Sequence, residues 1–117
     1  MGIVQSTAVA WTSNSSGAAS GTITSLNGVL LAVTFYPGAA TPTTAYDVVV
    51  TDAYGVDILG GTGANISSSA AVKKCPLIAG TDGVTTTAVP GAVAGDHTYS
   101  ITNAGSAKNG TLVFYTR

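Results

Sequence analysis

The sequence predicts an all-β protein, a single β-sandwich of jelly-roll or immunoglobulin-like type with about eight short strands. Three observations carry this. Glutamate is absent and Lys, Arg, Gln and Leu are scarce, while β-branched residues as a class, led by Thr and Val, are abundant, which is strand composition rather than helix composition. Apolar runs of strand length recur at roughly 8–12-residue spacing. Gly, Pro, Asn and Asp punctuate them, and no helical stretch intervenes.

The first run, residues 3–11, reads as a strand and is followed by a small-residue loop opening at "NSSG". "GTITSL" alternates. Asn27 and Gly28 follow it, and Asn-Gly between two strand-like runs is the strongest short hairpin signal. The return run "VLLAVTFY" is apolar on both faces and predicts a central strand covered on both sides. Pro37 stops it, since proline cannot donate to a ladder. "AYDVVVTD" and "VDIL" predict a hairpin, and residues 60–71 a long flexible segment whose glycines disfavour a helix. "VKKCPLI" reads as an edge strand because of Pro76. Residues 84–89 predict another strand, "PGAVAG" a loop, "DHTYSITN" a cleanly alternating strand, and "TLVFYT" a closing strand that pairs and fixes the terminus.

At 117 residues the chain is one domain, with residues 1–20 readable as an N-terminal arm, or a strand, plus a flexible loop. Of its apolar residues 18 are alanine, so the core of a lone protomer is expected to be thin and partly completed by neighbouring copies. Charged residues make up 8% of the chain and the net charge is -1, which gives no electrostatic case for nucleic-acid binding. Lys73 and Lys74 form the one basic pair and read as edge protection. No apolar run approaches the roughly 18 residues of a membrane span. No signal peptide is visible, which implies synthesis in the cytoplasm.

Two aspartates flank a glycine in "VVVTDAYGVDILGG", which raises the question of a site. Asp52 opens a turn by accepting backbone amides, and Gly55 supplies the positive φ at its fourth position. The stretch therefore reads as a structural turn, as do Asn27 and Gly28. A calcium loop needs oxygen ligands where Tyr54 and Val56 stand. On the turn reading, Gly55→Val is damaging and Asp57→Ala mild. His97 is the lone histidine and Cys75 the lone cysteine, two ligands where zinc wants three or four. His97 shares a strand face with Tyr99 and Ile101 and reads as a hydrogen-bonded, half-buried histidine. There is no G-x-S-x-G elbow, no phosphate loop and no persuasive carboxylate pair. The expectation is therefore no enzyme, no catalytic residues, no metal and no cofactor.

The stretch "VVVTDAYGVDILGGTGAN" together with the ending "YSITNAGSAKNGTLVFYTR" resembles small structural proteins of tailed-bacteriophage virions. The resemblance rests on the Asp-x-x-Gly-x-Asp-x-Leu-Gly-Gly pattern and on the Asn-Ala-Gly turn before an apolar closing strand, and it covers the chain from about Val48 onward. It implies a β-sandwich located in the virion, self-assembled as a homo-oligomer with a trimer favoured. Its partners would be a major capsid protein or other virion proteins, with no nucleic acid and no membrane. Capsid decoration or cementing of capsomers is the leading function. The alternative is a tail-tip or fibre module that recognises a host glycan or protein. Exposed aromatic rings beside polar groups favour that alternative, and the wide sequence separation of Trp11 and Tyr54 counts against it. Ile3, Val4 and Trp11 are the candidate interface, with Trp11 as anchor. If the segment is an arm, deleting residues 1–11 leaves a folded domain that no longer assembles. If it is an ordinary strand, the deletion unfolds the protein.

Overall fold

The computed structural model describes residues 3–43, 45–76 and 90–117. Eight strands are present among them: β1 (Gln5–Thr12), β2 (Ala19–Ile23), β3 (Gly28–Pro37), β4 (Asp47–Thr51), β5 (Val72–Lys74), β6 (Ala92–Val93), β7 (His97–Thr102) and β8 (Asn109–Thr116). All pairings are antiparallel. One sheet has the order β1-β8-β3-β5, with β6 also on β3, and the second has the order β2-β7-β4. The fold is an all-β sandwich.

The pairing is nested: β1 with β8, β2 with β7, β3 with β6, and β4 with the chain that directly follows it. A long antiparallel ribbon wrapped into two sheets produces this nesting, and the result is the jelly-roll arrangement. Two strand positions are irregular. β5 pairs with Val33–Phe35 and β6 with Gly28 and Val29, so the two lie in line along one edge of β3 and share one position. Beside β4, residues 56–66 fill the fourth position of the second sheet without forming a strand. Ile58 N–H donates to Val50 O (2.8 Å), Val48 N–H to Gly63 O (2.7 Å) and Ile66 N–H to Tyr46 O (2.7 Å).

Burial follows the alternation expected of a half-buried strand. β7 points His97, Tyr99 and Ile101 inward, and β8 buries Gly110, Leu112, Phe114 and Thr116. β3 buries Val33, Thr34 and Phe35 in succession, so both its faces are covered there. The buried apolar residues form one contiguous cluster from both sheets, and among them only Ala104 is alanine. The side chains that hold the sandwich together are thus large, and alanine is mostly left to the outside.

Several expectations are corrected. Asn27 and Gly28 do not turn a hairpin, because β2 and β3 belong to different sheets. Instead this stretch steps between sheets and is tied to the far end of the chain. Leu26 N–H donates to Gly95 O (2.9 Å) and Gly95 N–H to Asn27 Oδ1 (2.8 Å), while Gly28 takes φ 114° against the Arg117 carbonyl. The loop after β1 is not free: Ser13 N–H donates to Lys108 O (2.7 Å) and Ala104 N–H to Gly17 O (3.0 Å). Residues 60–71 are also organised, with Ile66 buried and Lys74 Nζ donating to Thr62 O (3.0 Å). In "VDIL" only Asp57 makes a bridge, and the "PGAVAG" loop contains β6. The strand expected at 84–89 and the end of the edge strand at 77–78 lie outside the described residues.

Candidate functional site

The turn after β4 is built by two aspartates. Asp52 Oδ1 accepts the amides of Tyr54 (2.9 Å) and Val56 (3.0 Å), and Gly55 N–H closes onto Asp52 O (3.1 Å). Gly55 sits at φ 82° with nothing near a would-be Cβ, so backbone conformation alone selects glycine. Asp57 does more than the sequence implies. Its carboxylate accepts the amides of Val50 (3.3 Å), Leu59 (3.0 Å) and Gly61 (3.0 Å), and so fixes the segment beside β4.

This turn stands across a cleft from β6. The larger hollow, about 240 Å³, is lined by Asp52, Tyr54, Ile58, Ala92, Val93 and His97, among others. A smaller one of about 120 Å³ adjoins it and adds Leu30 and Val56. Tyr54 is 92% exposed at the rim. His97 is fully buried rather than half-buried. Its Nδ1 lies 3.0 Å from Gly95 O, which only accepts, so Nδ1 carries a proton. Its Nε2 is buried without a partner.

The three candidate interface residues part company. Ile3 and Val4 are 82% and 56% exposed just before β1. Trp11 lies in the core, its ring centroid 5.4 Å from that of Tyr46. It faces inward because β1 alternates, and Gly110 opposite it on β8 leaves the space its indole fills. Trp11 therefore anchors its own sandwich.

The outer edge of β1 is a second surface. Ser13 N–H bonds to Lys108 O, and in an antiparallel ladder every second residue then faces β8. The backbone groups of Ser6, Ala8, Ala10 and Thr12 consequently point away from the sheet, where among the described residues no strand pairs with them.

Elsewhere the polar chemistry is structural. Asp47 accepts Asn65 N–H (2.9 Å) and Asn103 Nδ2 (2.7 Å), and these bonds hold its carboxyl below the usual range. Burial pushes the Tyr46 hydroxyl up to about 12. Cys75 is exposed and unpaired in any disulfide, and Lys73 Nζ lies 4.6 Å over the Tyr115 ring. No group of three or more His, Cys, Asp or Glu is placed to hold a metal among the described residues.

Fold and site define the chain as a jelly-roll β-sandwich with a cleft-bearing turn and, among the described residues, a long open strand edge at β1. No protein-family model matches the sequence, and no curated protein does.

Proposed function

We propose that the chain is a structural protein of tailed-bacteriophage virions, a capsid decoration or cement protein that self-associates and bridges neighbouring capsomers. The observation that carries the assembly part is the free edge of β1. Natural edge strands are shortened, bulged or guarded by charge or proline. β1 is eight residues long, pairs with β8 without a register shift, and has no charged residue or proline anywhere from Ile3 to Thr12. Ile3 and Val4 add exposed apolar surface at its start. Such an edge accepts a strand from a neighbour through main-chain hydrogen bonds. The resemblance of the stretch from Val48 onward to virion structural proteins supplies the setting.

Association of β1 with its own copy makes a two-fold pair, whereas association with a different edge closes a ring, such as the favoured trimer. Light scattering tests this with Ala8→Pro. That substitution deletes an amide that faces the free edge and none that bonds to β8. The expected result is an oligomer for the native chain and a folded monomer for the variant. A native chain that stays monomeric alone and on capsids, or an Ala8→Pro variant that assembles normally, refutes the reading. A tail-tip or fibre module is the second reading, and the exposed Tyr54 beside Asp52 favours it.

A further inference from the structure

We propose that the cleft between the Asp52–Gly55 turn and β6 is a saccharide site that holds one pyranose unit. The proposal stands independently of the assembly reading, since it uses the opposite kind of surface, a concave one, and none of the residues of β1.

Size comes first. Pockets for drug-sized ligands run to about 300–1,000 Å³. A hollow of about 240 Å³ is smaller and suits one ring. Chemistry narrows the class. Ile58 and Val93 make apolar walls, and Tyr54 presents an aromatic ring with almost no burial of its own. These match the C–H face of a sugar ring. Asp52 brings a carboxylate with about four acceptor sites, of which the turn uses two. β6 adds groups of both kinds. Leu30 N–H donates to Gly91 O, so the next residue along, Ala92, which lines the hollow, turns its N–H and C=O away from β3, where among the described residues no strand pairs with them. The cleft therefore offers acceptors, a donor and an apolar surface together.

A lysine or arginine side chain supplies donors only and leaves the Ala92 amide unmet. A pyranose supplies hydroxyls that both donate and accept, beside an apolar face, so it satisfies the whole set. A single-ring site of this kind is weak alone and gains affinity through display on many copies.

The test is amide chemical-shift titration of the intact protein with glucose, galactose, mannose and N-acetylglucosamine in turn, and with arginine amide as the cationic counter-probe. Saturable shifts are expected at residues 52–58 and 91–97 for at least one sugar. Tyr54→Ala, at an exposed position, and Asp52→Asn, which keeps the turn's amide acceptor, are each expected to weaken that binding about tenfold or more. Val49→Thr, on the outer face of β4, is expected to leave it unchanged. The proposal is overturned if no sugar shifts these residues, if the shifts survive both variants, or if only arginine amide binds.

Discussion

At the scale of single residues, buried polar atoms give the sharpest expectations. The Tyr46 hydroxyl is buried without a partner against Trp11, whose indole nitrogen is likewise unpartnered. An unsatisfied buried hydroxyl opposes folding by roughly 1–3 kcal/mol. Tyr46→Phe is therefore expected to leave stability unchanged or raise it by about 1 kcal/mol in urea unfolding. A loss larger than that would mean the hydroxyl has a partner, such as a buried water. Its hydroxyl titrates near 12, above the ordinary 10 of the unfolded chain. Stability is then fully present below about pH 10 and is lost as pH rises toward 12. Tyr46→Phe removes that alkaline component. Asp47 behaves oppositely. Its lowered carboxyl contributes stability above the unfolded value of about 3.9 and loses it as pH falls through the folded value. Asp47→Asn flattens the acid side of the stability curve.

Asp57 shows where residue-scale reading fell short. The sequence marks it as the far end of a turn and therefore tolerant of alanine. In the structure it accepts three amides. Asp57→Ala is now expected to be destabilising by about 1–3 kcal/mol, comparable to the roughly 1–3 kcal/mol expected for Gly55→Val at positive φ. Equilibrium unfolding of the two variants compares them directly. Retention of native stability by Asp57→Ala would restore the simpler turn account.

At the scale of elements, strands with local alternation were legible and connections were not. "DHTYSITN" announces β7 through His97, Tyr99 and Ile101, and Pro37 marks the end of β3. Asn27-Gly28 carries every local sign of a hairpin, yet its bonds go to Gly95, about 70 residues away. Turn chemistry records what the backbone can do locally. Which strand it meets is decided by burial of both faces of a nested ribbon, a non-local matter. β6 escaped notice because two residues carry no period. Residues 60–71 looked flexible because glycine frees the chain, but Ile66 is buried within them. For β1, the element-scale expectation changes. Its indole fills the space over Gly110, where a Cβ would lie 2.7 Å from both Trp11 Cζ2 and Tyr36 O. Deleting residues 1–11 is now expected to abolish folding by circular dichroism. Gly110→Ala is expected to destabilise by about 1–3 kcal/mol through overpacking. A folded truncation would restore the arm.

At the scale of the whole molecule, the fold class was readable because strand composition and spacing are global properties. The cleft was not readable, since Asp52 and Ala92 meet only through the wrapping of the ribbon. Charge is sparse, the core is contiguous, and the open features among the described residues include the β1 edge and the cleft. On the proposed virion reading, such a protein works through the surfaces it offers to its neighbours. The most direct measurement on that proposed reading is an electron-microscopy reconstruction of purified virions of a phage whose genome encodes this chain, at a resolution that traces strands. The account predicts repeated copies on the outside of the head between capsomers, each with the β1 edge hydrogen-bonded to a neighbouring chain. Absence of the chain from the particle, or copies whose β1 edge faces solvent while another surface makes every contact, contradicts it.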